Sequence, residues 1–169
     1  MKKTSLTLII LLLTNIAFAE SVGKSMGAHV HGEIKIEMAV EGKKLEISID
    51  GPAESFVGFE YSPKTAEEKK AWTRAENLWK KELLSKLFIL DKSLGCVVTN
   101  ASFKQEVEST SHSDIEAEAE ITCSKDLSNQ DMIVAVKKHY SKIHKLSVVL
   151  VSQEAKTIAI KSNEQLIKL

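Results

Sequence analysis

The chain is short of the residues that break or staple a fold, with two prolines, seven glycines and two cysteines among 169 residues. With so little proline and no low-complexity tract, nothing reads as a linker between separate domains. A single cysteine pair rules out a disulfide-dense scaffold. Charge of one sign is missing too, since 23 basic residues balance 23 acidic ones. No basic tract provides the electrostatic footprint that nucleic acid requires. Long hydrophobic runs are also lacking. The one extended apolar stretch, Leu6 to Leu13, is interrupted by Thr14 and Asn15 and falls short of the ~20 residues that cross a bilayer. The protein is therefore expected not to span a membrane. Catalytic signatures are absent as well: no GxSxG elbow, phosphate-cradling glycine loop, HExxH or dinucleotide fingerprint occurs, so no enzyme is indicated.

The first residues have the organisation of an export signal. Lys2 and Lys3 precede the apolar run, and Ala17-Phe18-Ala19 forms a small-x-small cleavage site. Cleavage after Ala19 removes residues 1–19 and leaves residues 20–169 as one periplasmic domain. Its formal charge is 21 − 23 = −2, because the leader takes two lysines with it. About 150 residues suffice for one real core. In an oxidising compartment Cys96 and Cys123 are expected to form a disulfide. A redox or metal-binding thiol pair is the alternative, but the two are too far apart for CxxC spacing.

Ile34, Ile36, Met38 and Val40, then Leu45, Ile47 and Ile49, alternate with polar residues on both sides of Glu41-Gly42. This period of two predicts a β-hairpin with one buried face, ended by Gly51-Pro52. Thr65 to Glu68 is a capping box. Trp72, Ala75, Trp79, Leu83 and Leu87 follow at helical spacing, predicting one long amphipathic helix whose stripe is core. Val97 to Val107 and Ile115 to Cys123 form a second hairpin. Its Asp114, Glu116, Glu118 and Glu120 line the face opposite Ile115, Ala117, Ala119 and Ile121, and such an acidic row reads as a solvated face. Aligning the apolar faces pairs Phe103 with Ala117 and sets Val97 against Cys123. Bringing Cys96 opposite Cys123 then needs either a bulge or a turn at Gly95. Met132 to Val136 is a short apolar run and Lys137 to Ile143 a helical turn or two. Strands follow over Leu146 to Val151 and Thr157 to Ile160, with an edge over Leu166 to Leu169. The fold class is α+β, a mostly antiparallel sheet of hairpins with one long helix packed on it.

Candidate chemistry rests on the five histidines. In an extended chain His29 and His31 share a face, and strand parity puts that face outward. Both imidazoles can then reach one metal ion, although HxH by itself is a weak motif. His112, like Asp114, lies off the apolar face of the second hairpin. His139 and His144, five apart, share a face on neither a helix nor a strand and read as surface residues.

The segments Ala28-His29-Val30-His31-Gly32, Val57-Gly58-Phe59-Glu60 with Ser62-Pro63-Lys64-Thr65, Gly95-Cys96, and His112 through Asp114 to Glu118 and Cys123 occur in that order. Together they resemble the ZrgA-like family of exported bacterial proteins. The resemblance implies a periplasmic zinc-binding protein associated with zinc uptake and an ABC-type importer. It carries over His29, His31 and His112 as candidate ligands and Glu60 as a further one. Pairing about Glu41-Gly42 would bring His31 near Pro52, where the loop to Glu60 begins. Two departures stand out. Family members often have histidine where this chain has Tyr61. The histidine-rich loop that many carry before the position of His112 is only Glu108-Ser109-Thr110-Ser111 here. The leading reading is a zinc-binding accessory protein that captures Zn²⁺ and delivers it to the importer. A non-metal envelope scaffold, or a zinc hydrolase or hydratase, is the alternative, and imidazole ligands do not by themselves separate zinc from copper or nickel.

Overall fold

The computed structural model describes residues 30–107 and 112–169. The expected leader, its cleavage site and His29 lie outside the described residues. Alternating patterns on either side of a tight turn give the first hairpin, β1 (Glu33–Glu41) and β2 (Lys44–Pro52). Glu41 pairs with Lys44, so the turn residues are Gly42 and Lys43. Gly42 has φ +56°, as the first position of a type II′ hairpin turn requires.

The second hairpin is β4 (Val97–Val107) and β5 (Ser113–Thr122), and the third β7 (Lys145–Val151) and β8 (Ala155–Ile160). They assemble with the first into a six-stranded sheet in the order β4-β5-β2-β1-β7-β8. β1 and β7 run parallel, so the sheet is mixed. Two such strands need a long crossover, and residues 42–144 supply it. The inward side chains of all three hairpins, among them Ile36, Ile47, Ile115, Ala119 and Val148, are almost fully buried. On the opposite face Glu118 and Glu120 are exposed, but Glu116 is half-buried and Asp114 buried, so the acidic row is a solvated face only over its second half.

The apolar face is covered by several short elements in place of one long helix. α1 (Ala53–Val57) follows β2 directly, and α2 (Ala66–Lys80) starts at the foreseen capping box, with Thr65 accepting from the Glu68 amide and Glu68 from the Thr65 amide. α2 is 15 residues long and stops at Lys80. Leu83 and Leu87, expected on the same helix, lie instead on a separate π-helical turn, Leu83–Leu87. The chain then enters β3 (Phe88–Leu90), which joins β6 (Asp131–Val134) and β9 (Gln165–Lys168) in a small second sheet of order β3-β6-β9. α3 (Val136–His139) supplies the remaining helical turn. Trp79 is buried beneath α2, edge-on to Phe88, and its indole N–H donates to the Glu118 carbonyl at 2.9 Å. That bond meets the one polar demand of an otherwise apolar side chain.

A disulfide joins Cys96 and Cys123. Phe103 does pair with Ala117, and a bulge between Val98 and Asn100 shifts the register by one residue so that Val97 meets Thr122. The cysteines are the next residues along each strand. The bulge thus reconciles the apolar pattern with the bridge, as one extra residue in a strand can.

Candidate metal centre

Four polar side chains from four chain segments converge at the end of the sheet where β1 begins and β2 ends. His31 sits in a turn closed by the Glu33 amide bonding to the Val30 carbonyl at 3.0 Å. The turn requires Gly32, which has φ +75°. A Cβ there would lie 2.8 Å from the Lys142 carbonyl oxygen and 2.7 Å from the His144 ring. Its carbonyl accepts from the amides of His144 and Lys145, at 2.8 and 3.0 Å, and its amide donates to Ser55 Oγ at 3.3 Å. His31 is therefore not on a strand, as the parity argument supposed. The left-handed residue after it ends the alternation, and a turn fixes its direction.

Glu54 lies in the first turn of α1. Its Oε2 is 2.9 Å from His31 Nδ1, and its Oε1 accepts from Lys142 Nζ at 2.7 Å. The Lys142 hydrogen bond, helped by the charges of Lys142 and His31, holds the Glu54 carboxyl below its usual range against a smaller opposing effect of desolvation. Gly58, with φ +95°, caps α1 and turns the chain so that Phe59 enters the core. Glu60 then comes back toward His31. Its Oε1 is 3.3 Å from His31 Nδ1, and its Oε2 is 2.8 Å from His112 Nδ1. Ser113 fixes this crossing. Its hydroxyl donates to the Glu60 carbonyl at 2.8 Å and accepts from Gln105 Nε2 at 2.7 Å, which ties the start of β5 to the loop after α1.

Glu60 is thus the hub, with only 14% of its side chain exposed between imidazoles that are 57% and 63% exposed. One donor atom each from His31, Glu54 and Glu60 lie within 4.8 Å of one another, and His112 adds a fourth group through Glu60. Nitrogen and carboxylate oxygen donors suit Zn²⁺, whose bonds of about 2.0–2.2 Å place tetrahedral donors about 3.3 Å apart. Gathering an ion would therefore spread the 2.8–2.9 Å His–Glu contacts by roughly half an ångström. A carboxylate only accepts hydrogen bonds, so each of those contacts needs a proton on Nδ1. An ion that takes Nδ1 requires the ring proton to sit on Nε2, and an ion on Nε2 leaves Nδ1–H to the carboxylate. In both cases the imidazole must be neutral, which links metal binding to pH.

Glu54 was not anticipated from the sequence. The hairpin turn is one residue further along than Glu41-Gly42, so the ladder Lys35↔Asp50 projects His31 toward Glu54 and not Pro52. A turn assigned to Gly42-Lys43 would have found it. Tyr61, at the position where relatives often carry histidine, points away. Its hydroxyl donates to Glu68 Oε1 at 2.8 Å and its ring packs on Phe59, so it joins the start of α2. His144 is exposed, as expected, yet it lines a cavity of about 180 Å³ with His31, Glu54, Ser55 and Lys142. His139 lies elsewhere, beside α2.

A family model described as ZrgA family zinc uptake protein matches residues 28–169. The chain belongs to the ZrgA family. The match begins just before the His29-Val30-His31 segment and runs through the last strand, so it includes every group of the cluster. ZrgA membership associates the chain with zinc uptake. No curated protein matches the chain significantly. No helix among the described residues is long and apolar enough to cross a membrane.

Proposed function

We propose that this protein is an exported zinc-binding accessory factor that captures Zn²⁺ in the periplasm and passes it to an ABC-type zinc importer. The observation that carries the reading is the convergence of His31, Glu54 and Glu60 donor atoms within 4.8 Å, with His112 bonded to the same Glu60. His31, His112 and Glu60 are the ligands assigned here, with Glu54 as the fourth. His29, two residues before His31, is a further candidate. Residues 1–19 act as the cleaved leader and residues 20–169 as the working domain. The arrangement suits transfer. Both imidazoles are more than half exposed, so an incoming acceptor can reach the ion without opening the core. Zinc is cargo here, and no bond-breaking step is assigned to it.

Metal analysis and isothermal titration of untagged protein test the reading. One Zn²⁺ should bind per chain, His31→Ala and His112→Ala should each weaken it strongly, and His139→Ala should not. Binding should also fall from pH 8 to pH 5, because coordination needs neutral imidazole. A pH-independent affinity, or a protein that stays metal-free, would exclude this site as the zinc carrier.

A further inference from the structure

We infer that a basic groove on the helical face is a docking site for an extended acidic segment of a partner protein. The groove is shallow and open to solvent, with a volume of about 810 Å³ along α2. Lys69, Lys70 and Arg74 from α2, Lys86 from the π-helical turn and Lys138 from α3 supply its cations, against one carboxylate, Glu82. This is a local charge of 5 − 1 = +4 in a chain whose overall balance is zero.

Among the described residues Lys69, Lys70, Arg74 and Lys86 have no ion pair, whereas Lys138, the fifth cation of the groove, is paired with Glu164 at 2.7 Å and Lys35, Lys80, Lys142, Lys145 and Lys168 each have a partner as well. The pattern also runs against helix stability. Lys70 and Arg74 are like charges at i,i+4, which repel on a helix surface. A like-charge pair left without a compensating contact inside the fold points to a ligand outside it. His139, which lines the same groove, has its pKa lowered first by burial and then by Lys86 and Lys138, against smaller opposing effects of Glu82 and Glu164.

Shape selects the occupant. The lining residues run along α2 and past its end from Lys69 to Glu82, a span of roughly 20 Å at 1.5 Å per residue. An extended peptide of about six residues covers that length. A single phosphate would need converging donors, but these cations are spread along the whole groove. A membrane would need apolar anchors, and none of the exposed large apolar residues, such as Val97, Val151 and Leu166, lines it. The exposed Glu118 and Glu120 lie on the opposite sheet face, which leaves the helical face to meet an acidic partner. The inference does not depend on the zinc site.

The test uses a fluorescein-labelled peptide, acetyl-(Glu-Ser)4-amide, titrated with the full mature protein in 20 mM and 150 mM NaCl. Binding should be measurable at low salt and weaken as salt screens the ion pairs. Lys70→Glu/Arg74→Glu and, on the other walls, Lys86→Glu/Lys138→Glu should each weaken it at least tenfold. The remote control Lys92→Glu/Lys161→Glu should change it less than twofold, and amide shifts should cluster at residues 69–86 and 138–139. No binding at 1 mM protein, or equal loss in the control, overturns the proposal. So does binding to vesicles with 30% phosphatidylglycerol without peptide binding, or reversal of the shifts by equimolar inorganic phosphate. Concentration-dependent self-association abolished by the groove variants would assign the groove to a second copy and overturn the acidic-partner proposal.

Discussion

Glu60→Gln is the most discriminating change at the proposed zinc site. It keeps the size of the side chain and leaves the Ser113 bond intact, because that bond is to the Glu60 backbone carbonyl. What it removes is one negative charge between His31 and His112. With one oxygen bonded at about 2.0–2.2 Å, the carboxylate's charge centre lies about 3 Å from a divalent ion, an attraction of about 3 kcal/mol in bulk water and about four times that at an effective dielectric of 20. The half-exposed imidazoles on either side place the site near the watery limit, so the loss should be about 2–3 kcal/mol. At 1.4 kcal/mol per decade, zinc affinity should fall about 30- to 150-fold. Isothermal titration at pH 7.5, with circular dichroism and thermal melting to show an intact fold, gives the measurement. An affinity within threefold of the parent in a folded Glu60→Gln protein would refute the idea that this carboxylate organises the ion.

Lys142→Met should raise zinc affinity several-fold, because the ammonium 2.7 Å from Glu54 Oε1 repels the ion and competes for the same carboxylate. Unchanged or weaker binding in titration would mean that Lys142 chiefly positions Glu54. Reducing the Cys96–Cys123 bridge, which closes a loop of 27 residues, should cost about 3–4 kcal/mol on the chain-entropy relation. Urea unfolding of oxidised and reduced protein checks this, and coincident midpoints would contradict it. Backbone hydrogen bonds from Thr65 and Lys64 and the Tyr61 hydroxyl hold Glu68 down to about 2. Its folded pKa lies below the unfolded value, so its contribution is present above about pH 4.5 and lost as pH falls toward 2. Glu68→Gln should flatten the acid limb of a melting-temperature profile without changing zinc affinity, and an unchanged limb would contradict the assignment.

Strand alternation made the first two hairpins of the large sheet legible because one face is buried throughout, the strands of the third were read only as separate strands, and Thr65 to Glu68 marked the start of α2 because capping is local chemistry. The elements that were not legible lacked a repeating signal. α1 has five residues and β3 three, too few to display a period. The parallel pairing of β1 with β7 depends on a contact across more than a hundred residues, which no local pattern encodes. The same distinction runs through the site. His31, His112 and Glu60 were singled out by residue type and family resemblance. Glu54 was hidden because moving the turn by one residue changes the facing partner by two. The proximity of His144 was hidden because it comes through the parallel strand.

The Gly32 carbonyl accepts its two hydrogen bonds from amides at positions 144 and 145, and this sets an order of events. A chain that emerges amino-terminus first presents His31 early, and Glu54 and Glu60 soon after. The turn that aims His31 is not anchored until the last sixth of the sequence has arrived, and β1 has an open edge until β7 fills it. Such non-local closure delays folding. On the export route proposed above, in which the chain is threaded unfolded across a membrane, that delay would postpone metal loading until the chain is on the far side, so that zinc is not taken from the cytoplasm.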